Sequence, residues 1–369
     1  MRFTFLLPSD NFTGGARVIA VYASELQKLG HEVLVVTCAQ DPLPWRQRLR
    51  ALFALAPPPG PLGHIALSGV PHKVMDRLGP IGEADVPDAD VVVATWWETA
   101  VWMHGFAAAK GRKVHLIQGY EAWFGPQVLP QLHAALRLPN TKLAISRGLA
   151  QTIEAELGPL QIHVVANAVD LQQFNAPLRV RNHPPRVGFI YAHAAIKGSD
   201  ICIDACGLAR QQIPDLQVLA FGTEAVSAQL HLPVGTQYFY RPAQHDLRTH
   251  YAACDYWLFG SRLDSFGLPI LEAMACRTPV IGVPIGAAPD LISQGGGVLV
   301  KMESAQDMAN ALVAQCRDSD AEWQSMSDAA HATAHAYSWT DATHKLLQVL
   351  EQTVLRASKF TSNQAVGPV

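Results

Sequence analysis

A strand–helix–strand pattern at the beginning of the sequence restricts the fold more than any other feature. Two mainly apolar runs, Arg2–Leu7 and Glu32–Thr37, read as buried strands, and the segment between them repeats apolar residues at helical spacing up to Leu29. Strands joined through a helix lie parallel in one sheet, and open parallel sheets bind ligands at the carboxyl ends of their strands. The pattern therefore predicts an α/β protein, with Gly14 and Gly15 at a ligand-binding turn.

The length of the chain favours a second domain. It has 369 residues, of which 49% are hydrophobic, and a single core rarely serves a chain of this length. Residues 176–186 are rich in proline and show no strand pattern, whereas Arg186–Tyr191 is a new apolar run. We therefore expect a first domain at 1–175, a linker at 176–186 and a second domain at 187–339.

The stretch 261–282 reads as a loop, a short helix and a strand. Pro269 suits the first helical position and Pro279 prevents the helix from continuing, so the helix is predicted at 269–276. Its N-terminus then offers unpaired backbone N–H groups in Phe266–Leu268, next to a residue without a side chain. This arrangement is typical of a phosphate-binding site.

Two carboxylates flank this loop, Asp264 before the helix and Glu272 about one turn into it. An acid near a helix N-terminus is often only a partner for the helix dipole. If the loop holds a diphosphate, however, the two acids can accept hydrogen bonds from a sugar and from a ribose at opposite ends of the ligand. A nucleotide sugar has this layout.

The same stretch resembles the acid-x7-acid signature of the family 4 glycosyltransferases, usually written E-x-F-G-L-x-x-L-E-A-M-A-C-G-x-P-V. These are retaining enzymes of the GT-B fold, in which two Rossmann-like domains, each a doubly wound parallel sheet, face each other across a cleft. The resemblance implies that Asp264 binds the donor sugar and that Glu272 binds the ribose. The N–H groups between them would bind the pyrophosphate. Asp264 stands where Glu is usual, and Arg277 replaces a Gly.

A second part of the resemblance supplies positive charge. The family usually has G-R-x-x-x-x-K-G after the first strand of the second domain, and Lys197 matches its lysine. The arginine position is Ala192, so a cation is missing unless His193, Arg241 or Arg262 replaces it. We expect Asp264, Lys197 and Glu272 to be the catalytic residues.

The resemblance also assigns a donor-binding set and an added helix. Gly222 ends a predicted strand near the nucleotide base, and Gly14 and Gly15 approach the donor phosphate or the acceptor. The donor-binding set is Gly14, Gly15, Lys197, Gly222, Asp264, Ser265, Phe266, Gly267, Leu268 and Glu272. In GT-B folds the last helix, here 340–358, packs back on the first domain, and a flexible tail is expected at 359–369.

Candidates for acceptor binding follow two strands of the first domain. Trp97 comes after the strand at Asp90–Thr95, and the next strand is followed by Gln118, Tyr120 and Glu121. Aromatic rings can stack on sugar faces, while amides and carboxylates can bond hydroxyl groups. The Thr-Trp-Trp-Glu and Gln-Gly-Tyr-Glu pieces are similar to a bacterial rhamnosyltransferase subgroup.

Composition restricts the partners. The net charge of −3 gives no basic field for nucleic acid. Six cysteines without a CxxC pair, no signal peptide and no long apolar run favour a cytoplasmic protein. Residues 42–56 read as a basic amphipathic segment that can contact a membrane from the inner face, although we favour an ordinary helix packed on the sheet.

The sequence thus predicts a glycosyltransferase that moves a sugar from a nucleoside diphosphate sugar to a hydroxyl of a glycan or lipid-linked acceptor, in bacterial cell-surface glycan or polysaccharide synthesis. No cofactor is expected, and no metal is needed if Lys197 and helix N–H groups stabilise the leaving diphosphate. Two alternatives remain: a nucleotide-sugar epimerase of the same fold, and a non-catalytic nucleotide-sugar-binding partner.

Overall fold

The computed structural model describes residues 1–39 and 63–364, and the chain divides into two compact units. The first unit comprises Met1–Ile145, Ala150–Val165 and Trp339–Val369, and the second comprises Ser146–Leu149 and Ala166–Ser338. The predicted amphipathic segment at 42–56 lies outside the described residues, as does the end of the predicted tail, 365–369.

The first unit is built on a parallel sheet with helices between its strands. In the described residues this sheet has seven strands in the order β3-β2-β1-β4-β5-β6-β7. The strands are β1 (Arg2–Leu7), β2 (Glu32–Thr37), β3 (His72–Val74), β4 (Val91–Ala94), β5 (Arg112–Ile117), β6 (Thr141–Ala144) and β7 (Ile162–Val164). The helices are α1 (Gly14–Lys28), α2 (His64–Ser68), α3 (Trp97–His104), α4 (Leu129–Leu136) and α5 (Arg147–Leu157). The central strands are almost fully buried because helices cover both faces of such a sheet.

The second unit repeats this architecture. Among the described residues its parallel sheet has six strands in the order β10-β9-β8-β11-β12-β13. The strands are β8 (Arg186–Ile190), β9 (Gln217–Gly222), β10 (Gln237–Tyr240), β11 (Tyr256–Phe259), β12 (Val280–Gly282) and β13 (Gly297–Leu299). The helices are α6 (Ser199–Arg210), α7 (Leu247–Ala252), α8 (Leu268–Ala275), α9 (Ala288–Ile292), α10 (Ala305–Arg317) and α11 (Asp320–His335). The predicted fold class of two parallel-sheet α/β domains is therefore confirmed.

The segment predicted as a linker is fastened to the second unit by one buried carboxylate. Asp255 has no exposed surface and accepts hydrogen bonds from Asn182 N at 3.0 Å, Asn182 Nδ2 at 2.9 Å and Arg186 N at 2.7 Å. Arg179 lies 3.5 Å from the same carboxylate. Residues 166–186 consequently group with the second unit rather than separating it from the first.

The last helix, α12 (Trp339–Gln364), contacts α1 of the first unit. The ring of Trp339 meets Tyr22 edge-on at 5.3 Å, and Thr340 donates to Glu25 Oε2 at 3.1 Å. The helix continues past 358, so the start of the predicted tail is helical. In the part of the chain that the structure describes, none of the helices combines the length and apolarity needed to cross a bilayer.

Candidate active site

A cavity of about 370 Å³ lies in the second unit where its strand order reverses. Strands β8 and β11 are neighbours there without being consecutive in sequence, and their carboxyl-terminal residues, Ile190 and Phe259, both line the cavity. Open parallel sheets bind ligands at such reversal points. Three of the residues predicted to bind the donor line it as well: Lys197, Gly222 and Asp264.

In the loop before α8, the carboxylate of Asp264 bonds the N–H groups that were expected to bind a phosphate. Gly267, with φ of 89°, caps α8, which begins at Leu268, one residue earlier than predicted. Asp264 Oδ1 accepts from Phe266 N at 3.1 Å and from Gly267 N at 2.7 Å. Two of the three N–H groups predicted to be unpaired are therefore bonded. An Asp side chain is short enough to bond the backbone two and three residues on, which accounts for the difference.

The same carboxylate also pairs with the only predicted catalytic cation. Asp264 Oδ2 lies 3.1 Å from Lys197 Nζ, and the lysine side chain is 44% exposed. Lys197 is held at the start of α6 by Gly198, which adopts a left-handed conformation with φ of 61°. The ammonium and the carboxylate thus meet at the cavity, and the same carboxylate bonds the N–H groups before α8.

Glu272 occupies a more enclosed position than its predicted ribose role implies. It lies in α8, is only 7% exposed and accepts a hydrogen bond from Tyr251 Oη at 2.9 Å. It is not among the residues that line the cavity, and neither are Ser265, Phe266, Gly267 and Leu268. Contact of Glu272 with a ribose therefore stays a prediction.

Two of the three candidates for the missing cation are occupied elsewhere. The His193 backbone N–H and ring bond Glu224 and a neighbouring carbonyl, so this side chain is tied to the following loop. The Arg262 guanidinium donates to both oxygens of Asp200, at 2.8 and 2.7 Å, and to Glu303 at 2.7 Å. These pairs raise the pKa of Arg262 and hold its charge away from a ligand.

Arg241 is the third candidate and lines the cavity together with Lys197 and Ala192. Its Nε donates to Thr223 O at 3.0 Å. The residue has φ of 49°, a left-handed conformation that costs a side-chain-bearing residue about 1 kcal/mol or more. Of the three candidates, Arg241 is the one placed to face a ligand there.

A second cavity, of about 570 Å³, lies in the first unit at its own reversal point. Leu7 at the end of β1 and Thr95 just after β4 both line it. The predicted residues Gly15, Gln118 and Glu121 line it too, which brings the glycine turn and two acceptor candidates together.

The other acceptor candidates lie outside this cavity. Tyr120 bonds His133 Nε2 at 2.7 Å and stacks on its ring, and Trp97 begins α3. Gly14 is also not among the lining residues. Side chains that the sequence did not single out take their place: Trp96, Glu98 and Trp123. The two adjacent tryptophans in the sequence indicated that an indole would lie near this site. Which of the two lines the cavity depends on where the strand ends.

Glu121 is the most perturbed carboxyl group in this second cavity. It is 3% exposed, and burial raises its pKa to about 8. At neutral pH it is therefore mainly protonated and can donate a hydrogen bond as well as accept one.

This shift predicts a pH dependence of stability that Glu121→Gln removes. The folded pKa lies above the unfolded value of 4.5, so between pH 4.5 and about 8 the folded state keeps a proton that the unfolded state has lost. The contribution of Glu121 to the free energy of unfolding then falls by up to about 1.4 kcal/mol per pH unit as pH rises. Urea unfolding at pH 5 to 9 should show the variant gaining stability relative to wild type; parallel curves would contradict the assignment. Glu154→Gln, on an exposed face of α5, is the matched control.

Within the described residues, no group of three or more His, Cys, Asp and Glu side chains is arranged to hold a metal ion. Metal-independent chemistry stays a prediction.

Two parallel sheets, each with a cavity at its reversal point, place the protein among Rossmann-like two-domain proteins, and comparison with known families specifies the family. The model described as "Glycosyltransferase Family 4" matches residues 12–173, and the model described as "Glycosyl transferases group 1" matches residues 184–318. A D-inositol 3-phosphate glycosyltransferase of Corynebacterium aurimucosum is 32% identical over 391 residues, covering 92% of this chain and 91% of that protein. The chain belongs to the family 4 glycosyltransferases.

Other curated relatives are matched over a shorter length. A D-inositol 3-phosphate glycosyltransferase of Jonesia denitrificans is 29% identical over 230 residues, which cover 55% of this chain and 54% of that protein. The match to a Mycobacterium marinum protein of the same name covers 44% of its length. The chain thus spans about half the length of these relatives.

Solved structures agree with the fold. HepE of Anabaena, solved with UDP and glucose, has a TM-score of 0.72 at 19% identity, covering 95% of this chain and 100% of that chain. Sucrose-phosphate synthase of Thermosynechococcus elongatus has a TM-score of 0.71 at 16% identity, covering 96% and 100%. The predicted GT-B fold and family 4 membership are confirmed, whereas the rhamnosyltransferase subgroup stays a prediction.

Proposed function

We propose that the protein transfers a sugar from a nucleoside diphosphate sugar to a hydroxyl group of a glycan or lipid-linked acceptor. One observation carries this proposal: Lys197 and Asp264 line a single cavity at the reversal point of the second sheet, and Asp264 bonds both the lysine and the N–H groups before α8. Backbone N–H groups at a helix N-terminus and a lysine ammonium are the groups that bind phosphate oxygens.

The donor nucleotide we favour is UDP, because HepE was solved with UDP and with UDP-glucose. In the proposed reaction the bond between the anomeric carbon and the diphosphate oxygen breaks, and a bond to the acceptor oxygen forms. The acceptor proton passes to the departing phosphate oxygen. Lys197 and Arg241 stabilise the negative charge that develops on the diphosphate, so no metal is required.

Asp264 has two consecutive roles in this scheme. Without donor, its carboxylate satisfies the N–H groups of Phe266 and Gly267 and the ammonium of Lys197. A diphosphate that takes over these donors releases the carboxylate, which then accepts hydrogen bonds from hydroxyl groups of the donor sugar. The bonds exchanged are similar in kind, so the switch costs little net free energy.

A thermal-shift screen of the purified protein against UDP, GDP, TDP and their common sugars tests the proposal. A ligand that binds only the native state raises the apparent stability by RT ln(1 + [L]/Kd), so one diphosphate should raise the melting temperature, and more so with one sugar attached. Lys197→Ala and Arg241→Ala should each reduce the shift. The matched control is Arg248→Ala, an exposed cation that does not line the cavity.

Assays of donor conversion and consumption, run beside this screen, distinguish the other functions. Donor that binds and is converted to an epimer without any acceptor would favour an epimerase. Donor that binds and is never consumed with any acceptor would favour a non-catalytic binding partner. The absence of a shift with every nucleotide would overturn the donor site.

Two further parts of the proposal concern the cell. We place the reaction in cell-surface glycan or polysaccharide synthesis in bacteria, on the cytoplasmic side. Contact with the inner face of the membrane through 42–56 also stays a proposal, because that segment lies outside the described residues. Neither part affects the test of donor binding.

A further inference from the structure

The cavity of the first unit carries a set of side chains that the proposed function does not yet explain. Its aromatic members are Trp96 and Trp123, and Trp123 as a residue is 43% exposed. Its ionisable side chains, among the described residues, are the carboxyl groups of Glu98 and Glu121. Gln118 completes the set beside the glycine turn, with its amide atoms 3.5 Å from where a Cβ on Gly15 would lie.

Polar groups on the opposite loop are satisfied by one another. Asn11 Nδ2 donates to Ser9 Oγ at 3.3 Å, and Thr13 Oγ1 donates to Asn11 Oδ1 at 2.5 Å. Thr13 Oγ1 also accepts from Ala16 N at 3.5 Å, so the first turn of α1 is capped. Part of the hydrogen-bonding capacity of this loop is therefore already used within the loop.

Gln118 and Glu121, in contrast, retain capacity for a ligand. Among the described residues, Gln118 Oε1 is buried and has no hydrogen-bond partner. A buried acceptor without a partner is costly, and a ligand that donates a hydrogen bond removes that cost. Glu121 is almost fully buried at the same wall, and its carboxyl group bonds its own backbone N–H.

We infer that this cavity binds a hydroxyl-rich sugar without a phosphate group, and that this sugar is the acceptor of the proposed reaction. The hydroxyl groups of a sugar donate to Gln118 Oε1 and to the carboxyl groups, while the C–H face of its ring packs on the exposed indole of Trp123. The described residues that line the cavity include no Lys, Arg or His to pair with a phosphate group, and Glu98 adds an acidic side chain that disfavours an anion. The identification of this sugar as the acceptor rests on the proposed function, whereas the binding of the sugar does not.

An array of immobilised sugars tests this inference. It carries unphosphorylated mono-, di- and trisaccharides and, for each, a counterpart with one phosphate monoester, and the full chain is applied in saturating UDP. We expect retention on at least one unphosphorylated sugar, about tenfold or more stronger than on its phosphorylated counterpart. Stronger retention on phosphorylated sugars, or none on any unphosphorylated sugar, would overturn the inference.

Variants connect the retention to this cavity. Trp123→Ala should lower it about tenfold, whereas Trp123→Phe, which keeps an aromatic face, should retain most of it. Glu121→Gln should also weaken it, and Glu154→Gln on the exposed face of α5 should leave it unchanged. Retention that is unaffected in both Trp123→Ala and Glu121→Gln would place the sugar elsewhere and refute the inference.

A parallel measurement separates this inference from the proposed function. The melting temperature of each variant is recorded with and without UDP, which reports on the second unit. Sugar retention without any UDP-dependent shift would leave the sugar site standing and remove the UDP part of the proposal. A normal UDP shift with retention only on phosphorylated sugars would support the UDP part of the proposal and overturn the inference about the sugar site.

Discussion

Asp264→Ala is expected to lower sugar transfer about 10²-fold or more while leaving UDP binding nearly intact. The variant removes the carboxylate that would accept hydrogen bonds from the donor sugar. It also removes that carboxylate from the N–H groups of Phe266 and Gly267 and from Lys197, so these donors become available to a diphosphate. Because the pair with Lys197 is partly exposed and therefore weak, the Kd for UDP should stay within about fivefold of wild type or decrease.

Initial rates of transfer and calorimetric titration with UDP would measure the two effects separately. Asp264→Asn is the informative companion, since its side-chain oxygen can still accept from the loop N–H groups but carries no charge. We expect it to bind UDP like wild type and to transfer slowly. Wild-type rates in Asp264→Ala would refute the catalytic role, and loss of UDP binding would show that Asp264 acts only by shaping the loop.

The general architecture could be predicted from the sequence because strands and turns have recognisable local residue patterns. Apolar runs such as Arg2–Leu7 and Arg186–Tyr191 became the central strands of the two sheets, and the glycine turn after the first of them lines a cavity. Lys197, Gly222 and Asp264 were predicted one at a time, and the structure places all three at a single cavity.

What the sequence did not provide depends on side-chain geometry. That Asp264 bonds the loop N–H groups follows from the length of its side chain against the turn, which a residue pattern does not specify. Trp96 lines the cavity, whereas Trp97 was the predicted residue. A difference of one residue at a strand end changes the direction in which the side chain points. Glu272 was predicted from its spacing to Asp264, but its burial under Tyr251 depends on packing from α7.

The linker prediction was limited by a buried contact of long sequence separation. Proline content around 176–186 indicates a segment without strand pattern, but such a segment can be loose or fastened. Asp255 fastens it through Asn182 and Arg186, which lie far from it in sequence. Neither composition nor periodicity in the segment itself contains that information.

Gly198→Ala is expected to destabilise the second unit strongly. A Cβ at this position would lie 1.8 Å from Gly260 O, a backbone atom that cannot move without moving the end of β11. The left-handed conformation, with φ of 61°, adds a cost of about 1 kcal/mol for any side chain. We expect a total of about 3 kcal/mol or more, measured by urea unfolding of the full chain.

Variants at two other glycines separate the conformational and steric contributions to this loss of stability. Gly30→Ala, at φ of 82° with nothing within 4 Å of the new Cβ, carries the conformational cost alone and should lose about 1 kcal/mol. Gly207→Ala, inside α6 and also in open space, should gain about 0.5–1 kcal/mol because alanine favours a helix. If Gly198→Ala lost no more than Gly30→Ala, close approach to Gly260 would not be what holds Lys197 at the cavity. If Gly198→Ala does lose more stability than Gly30→Ala, its folded fraction should also bind UDP more weakly, because Lys197 directly precedes the displaced residue.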